Sequence, residues 1–532
     1  MALTFQSNKT NNINTDVLII GSGPLGSTYA RVLAMDGHNV TMIDAGPQLD
    51  ARPGRHMLNA FVHQQMTSLF NDVITGHLQT LSVPTHSTYN SELSPFAYWA
   101  PTKGSNYENP NQDPTKNMPH AAATYAVGGM FTHWTGTAPR QYPPERSPLI
   151  SPQEWEQLID IAEKFMNVHN TGFESPLSDI LTRRFQERLG DRLEPDRPVQ
   201  HTPLGAERRS DNPRYVRWTG ADTVMGPLLD EPETYGDRFT ILPEHRAQEL
   251  VMEGGKVHHV VVQNLTEWET INIHADTVIV AAGPCLTPQL LHKSGIRPWA
   301  LGRFLNENPN AACKVIYNRD VIEELRDLDD NPAKDESIPI PTDWHEPMIW
   351  IPVSKDRLWH VQMHGDGRRT KYGGAADVRM ILDLGWFGMS DLNENNRITF
   401  DDDLPDRFGM PQITFDYELG DDDRVRAHDM MEEMLAAAEA VGGFLPPDGL
   451  PKFNEQGSSL HFQSTVRMGD NSEDSVVDTN SKVWGIDNLY LGTVGVIPTR
   501  LASNPTLTAV AIAAKGAHSI IGKDLPTNMD GI

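Results

Sequence analysis

Cysteine is nearly absent: Cys285 and Cys313 are the only two in 532 residues. Two thiols cannot form the disulfide framework of a small secreted domain, and no Cys-x-x-Cys pair is present to hold zinc or an iron–sulfur cluster. Both are expected to be free. Basic charge is also scarce, with 44 Lys and Arg against 71 Asp and Glu, a formal net charge of −27. A surface that acidic repels phosphate backbones and anionic lipid heads, so neither nucleic acid nor a membrane is an expected partner. Long apolar runs are missing too. The first, Val17 to Ile20, has the length of a strand, not of a spanning helix or a signal-peptide core. No signal peptide is read, and a cytoplasmic location is the expectation. Nor is there an internal repeat, a low-complexity tail or a metal-ligand motif. What remains is an acidic chain, 38% hydrophobic, long enough for roughly two to four domains' worth of structure.

The N-terminal region carries a βαβ pattern. Asp16-Val-Leu-Ile-Ile is a β-rich run, a helical pattern spans about Pro24 to Met35, and Asn39 to Asp44 reads as a second strand. Between the first strand and the helix lies Gly21-Ser-Gly23-Pro-Leu-Gly26. Glycine there permits a tight turn and close approach of the backbone to a pyrophosphate, and the helix N-terminus supplies N–H donors. Asp44, at the end of the second strand, is placed to accept from ribose hydroxyls. The site takes a dinucleotide, and on these residues alone either NAD or FAD.

Further along, residues 238–283 alternate like a meander ending in the apolar run Thr277 to Ala282-Gly283. A helix is expected at about 152–168, capped by Ser151. Another is expected at 421–441, with Asp421, Asp422 and Asp423 at its positive end and Met431, Met434, Leu435, Ala438 and Val441 on one face. The charged, Pro-rich segment 319–346 reads as a long surface loop. A last helix is expected over Thr506 to Ile521. Two further constellations bear on chemistry. Gly128-Gly129-Met-Phe-Thr132-His133-Trp134-Thr135 sets a histidine and an aromatic beside a glycine turn. His461, with Asn504 43 residues later, pairs an imidazole suited to accept a hydroxyl proton with an amide that can hold the same hydroxyl. Structural roles account for either constellation taken singly.

Taken together and in this order, these motifs resemble the glucose–methanol–choline (GMC) family of flavin oxidoreductases over nearly the whole chain. Within it, Thr132 to Thr135, the run Trp359-His-Val-Gln362-Met-His364-Gly-Asp366, Trp386-Phe-Gly and Gly442-Gly-Phe-Leu-Pro are similar to the branch of pyranose and glycoside oxidases. The resemblance implies an α/β fold: a Rossmann-like FAD-binding domain plus a second, substrate-binding α+β domain built on a large mixed or antiparallel sheet. The expected division is 12–150, 205–312 and 456–532 for the first, and 151–204 and 313–455 for the second, with 81–105 as an oligomerisation arm of a homo-oligomer.

The resemblance further implies FAD as cofactor, bonded through His133, with Thr135 near the flavin N5 region. His461 is then the catalytic base, Asn504 its partner, and Gln362, His364 and Asp366 lie on the sugar side. The implied reaction oxidises C2 or C3 of a pyranose or glycoside, with O2 or a quinone as acceptor. A quinone-preferring dehydrogenase and a non-catalytic flavin protein are the alternatives. The sequence departs from the branch in three places. Gly367-Arg-Arg-Thr-Lys-Tyr372 replaces a shorter aromatic loop, 319–346 is shorter than the usual head region, and Val466 stands where a second histidine is usual. The first two changes suit a more open site and glycoside substrates.

Overall fold

Why the chain builds one mostly parallel sheet is visible in its first strand. In β1 (Asn11–Ile20), the residues Val17, Leu18, Ile19 and Ile20 are all buried, as a strand covered on both faces requires. A computed structural model gives the architecture for residues 11–66, 69–70, 73, 77–82, 109–364, 377–406, 408–446 and 449–526. Asp366 and all but the start of the segment expected as an oligomerisation arm lie outside the described residues.

β1 leads through the glycine turn into α1 (Pro24–Met35) and on to β2 (Val40–Ile43). α2 (Pro152–Met166) and α3 (Pro176–Leu189) follow, with Ser151 and Ser175 capping them through their hydroxyls. The chain then adds β3 (Phe239–Leu242), β4 (His245–Glu253), β5 (Lys256–Asn264) and β6 (Thr270–Val280). The order across the sheet is β3-β2-β1-β6-β5-β4. β1, β2, β3 and β6 run parallel, while β4, β5 and β6 form an antiparallel meander. α4 (Gly283–Lys293) leaves β6 at the same end of the sheet as the glycine turn.

The second sheet is antiparallel throughout. β7 (Asn310–Tyr317), β8 (Met348–Ile351), β9 (Trp359–His364) and β10 (Ile381–Gly388) pair in the order β7-β10-β9-β8. Behind them α5 (Asp421–Val441) packs its buried stripe Ala427, Met430, Met434, Ala437, Ala438 and Val441. The chain then passes through β11 (Gly442–Phe444), beside β7, and returns to the first sheet as β12 (Leu489–Leu491), parallel to the end of β6. It finishes in α6 (Thr506–Ile521), whose residues Leu507, Val510 and Ile512 are buried against the first core. Each such side chain contributes about 1.5–3 kcal/mol on burial.

Two expectations need correction. The segment read as a surface loop opens with a helix, Arg319–Arg326, capped by Asn318 and anchored by buried Val321 and Leu325. Its charge hid two apolar residues four apart. On α5, Met434, Ala438 and Val441 are buried as expected, but Leu435 is 47% exposed, and a carboxylate, Glu433, is inside. Trp155, Leu158, Ile159, Ala162 and Phe165 of α2 belong to the first core, whereas Leu177, Leu181 and Phe185 of α3 belong to the second. Both cysteines are free and buried. No helix among the described residues is long and apolar enough to cross a membrane.

Candidate active site

The glycine turn is built by exclusion. Gly21 has φ +107°, and a Cβ on it would stand 2.3 Å from the Ala281 carbonyl oxygen of the neighbouring strand. A Cβ on Gly26 would stand 2.1 Å from the Gly21 oxygen, so only glycine lets α1 approach β1 this closely. Gly23 differs: a Cβ there meets nothing within 4 Å. The space over Gly23, at the N-terminus of α1, is open, and a pyrophosphate there would meet unpaired N–H groups.

Asp44 closes the turn. Its Oδ2 accepts from the Ser22 N–H at 3.0 Å and the Ser22 hydroxyl at 2.6 Å, and its Oδ1 from the Gly46 N–H at 2.8 Å. Ser22 Oγ in turn accepts from the Gly128 N–H at 2.8 Å. Burial pushes the Asp44 carboxyl up, against the pull of these donors. The acid expected to face a ribose therefore also ties the first glycine turn to the second.

From this turn a cavity of about 620 Å³ runs past Gly129, His133, Trp134 and Thr135, past Ala282 and Gly283, and ends at Gln362, His461 and Asn504. Thr132 is buried and donates its hydroxyl to the Gly129 carbonyl at 2.8 Å. His133 Nε2 lies 2.8 Å from Thr124 Oγ1. Trp134 stacks on Phe131 with ring centres 4.0 Å apart, and its Nε1–H donates to the Thr219 carbonyl at 2.7 Å. His364 ends β9, its backbone opposite Met348 and Asp383.

The far end of the cavity holds a directed chain of hydrogen bonds. Asn308 Nδ2 donates to the carbonyls of Gly388 at 2.8 Å and Leu501 at 2.6 Å, which leaves its Oδ1 facing His461 Nδ1 at 2.8 Å. An amide oxygen can only accept, so Nδ1 carries the proton and Nε2 keeps the lone pair. On the other side, Thr137 Oγ1 donates to Gln362 Oε1 at 3.1 Å, and Gln362 Nε2 donates to Asn504 Oδ1 at 2.8 Å. That turns Asn504 Nδ2 toward His461 Nε2, 3.2 Å away. His461 packs near the Phe387 ring, with centroids 5.5 Å apart, and burial pushes its pKa down to about 4. The imidazole is thus neutral near pH 7 and presents one basic nitrogen beside one amide donor.

The structure therefore joins His461, Asn504 and Gln362 directly. Sequence reasoning missed Asn308 and Thr137. It also missed Glu307, whose buried carboxylate accepts from the Gly457 N–H and the Ser459 hydroxyl, each at 2.7 Å, and so holds the segment leading to His461. Burial raises the Glu307 pKa to about 7. The only signal was a run of three polar residues, Asn306-Glu-Asn308, directly after Leu305; all three are buried. An antiparallel bridge between Asn306 and Gln463 brings that run to His461.

A dinucleotide turn joined by one cavity to a neutral, tautomer-fixed histidine and its amide partner defines an FAD-dependent oxidoreductase acting on CH–OH groups. The comparisons with known proteins agree. Residues 393–513 match the family described as GMC oxidoreductase, and 114–302 and 14–68 match FAD-binding domains. Pyranose 2-oxidase of Tricholoma matsutake is 36% identical over 543 residues, covering 95% of this chain and 93% of its own. C-glycoside 3-oxidase of Microbacterium trichothecenolyticum is 33% identical over 528 residues, covering 95% and 96%. Among solved structures, pyridoxine 4-oxidase from Mesorbium loti shares the fold with a TM-score of 0.65 at 17% identity, over 96% of this chain and 100% of that one. The chain belongs to the GMC oxidoreductase family.

Proposed function

We propose that this enzyme is an FAD-dependent sugar oxidase that converts a secondary ring hydroxyl, at C2 or C3 of a pyranose or glycoside, into a ketone, with O2 reduced to hydrogen peroxide. The observation that carries this reading is the arrangement around His461. A hydroxyl that approaches from the cavity and replaces the direct 3.2 Å contact of the two groups gives its proton to His461 Nε2 while its oxygen accepts from Asn504 Nδ2. Removing the proton as the hydride leaves avoids a free alkoxide, and a fixed geometry supplies much of the rate. FAD bound along the cavity supplies the two-electron acceptor for that hydride. Gln362 and Thr137 hold Asn504 in register, and Asn308 holds the base in its reactive tautomer.

The alternative is a glycoside 3-oxidase or dehydrogenase that prefers a quinone. It is favoured by the similarity to C-glycoside 3-oxidases over 95% of the chain. One experiment separates the readings: a panel of free sugars, O-glycosides and C-glycosides, with the keto product located by NMR and peroxide yield compared with quinone reduction. Failure of every sugar and glycoside to reduce the flavin would sink the proposal. Covalent attachment through His133, which lines the cavity, is part of it. Acid precipitation should leave the yellow colour in the pellet, and colour released to the supernatant would remove that part.

A further inference from the structure

The meander of the first sheet carries a feature that cofactor and substrate binding leave unused. His258 and His259 are neighbours on β5, and neighbours on a regular strand point to opposite faces. Here the pairing of β5 with β4 slips: Val257 stands opposite Met252 and His259 opposite Val251, so His258 is the extra residue of a β-bulge. A bulge re-aims a side chain, and this one brings both imidazoles together. His274 on β6 completes the group. The rings lie 5.1 Å (258–259), 5.2 Å (258–274) and 5.2 Å (259–274) apart. One ligand nitrogen from each falls within 4.8 Å of the others. Nδ1 of His258 is 2.9 Å from Nδ1 of His259, and Glu253 Oε2 is 3.7 Å from His258 Nε2.

We propose that His258, His259 and His274 form a binding site for a divalent transition ion of the zinc type, with water as the fourth ligand. Three imidazoles are a donor set that such ions prefer. A small rotation of the side chains brings three nitrogens to the roughly 2.0–2.1 Å that zinc requires. An ion would replace the direct nitrogen–nitrogen contact and neutralise part of a strongly acidic surface. Its ligands come from β5 and β6, so it staples two strands of the meander. The site is separate from the chemistry. His274 precedes Val280, at the cofactor end of β6, by six residues, or roughly 20 Å of strand. The ion is therefore structural, acting on stability and not on turnover. Linear spacing hid the site, because a bulge and a strand pairing assemble it.

The test is zinc titration by calorimetry of the flavin-loaded enzyme, prepared without a histidine tag and stripped with EDTA. The wild type should bind one Zn2+ per chain, and its Tm should rise with added Zn2+ and fall back with EDTA. His258→Ala and His274→Gln should each weaken binding by at least about tenfold, the loss that even second-layer metal partners cause, and should abolish the Tm shift. Their flavin absorbance and turnover should stay at wild-type values. His258 is 46% exposed, so its substitution does not threaten the fold. Absence of zinc binding by the wild type, or equal binding by both variants, would overturn the proposal.

Discussion

At the scale of single residues, the proposed chemistry turns on which nitrogen of His461 keeps its lone pair. Asn308 decides it, because both its amide hydrogens are committed to carbonyls. Asn308→Ala should lower kcat on the order of ten- to a hundredfold, less than the 10²–10⁴ of losing the base itself, with KM little changed; steady-state kinetics checks this. Because burial holds His461 at about 4, its protonation should shape the acid limb of kcat/KM only near that pH. The same shift is a statement about stability. The folded protein keeps His461 neutral where an unfolded chain, at 6.5, takes a proton. This contribution is full above about 6.5 and falls as pH drops toward about 4. Glu307 works in the opposite sense. Its folded value is raised from 4.5 to about 7, so its contribution is full below about 4.5 and is lost as pH rises through about 7. Glu307→Gln should remove that alkaline loss in a Tm-against-pH profile. It should also destabilise by roughly 1–3 kcal/mol, because an amide N–H₂ then faces backbone and hydroxyl donors.

At the scale of elements, two glycines five and two residues into one turn have different tasks, and substitution separates them. Gly26→Ala places a methyl group against the Gly21 carbonyl and should lower Tm even without cofactor. Gly23→Ala meets no protein atom and should leave the apoprotein's Tm unchanged while reducing flavin occupancy; absorbance and thermal melts read both. On α5, Glu433 accepts from Arg357 Nε at 2.7 Å and Trp359 Nε1 at 2.8 Å beneath the sheet that carries Gln362. Arg357 is wholly buried. Glu433→Ala leaves that guanidinium unpaired and should cost about 3–5 kcal/mol in denaturant unfolding. Local pattern made several elements legible: α1, α5 and α6 have the bounds their caps and periodicity indicate, and the strand–glycine–helix turn was readable outright. Glu433 was not, since a carboxylate on a helix reads as solvated until tertiary structure supplies its arginine. The helix at Arg319–Arg326 was masked by its own charge.

At the scale of the whole molecule, the site is an assembly of distant segments. Gln362 comes from the antiparallel sheet and Asn504 from the segment leading into α6, and their 2.8 Å bond joins the two halves of the protein at the substrate end of the cavity. His461 and Asn504 were legible because their residue types and order resemble a family. Asn308, 153 residues before His461, left no such trace, because only the bridge between Asn306 and Gln463 makes it a neighbour. The central claim is that a sugar hydroxyl loses its proton to His461 as its carbon reduces the flavin. Rapid anaerobic mixing of sugar or glycoside with wild-type and His461→Ala enzyme, following loss of the yellow absorbance, tests it most directly. The wild type should bleach, and the variant, with its flavin retained, should bleach slower by about 10²–10⁴-fold. Equal rates in the two proteins would contradict it.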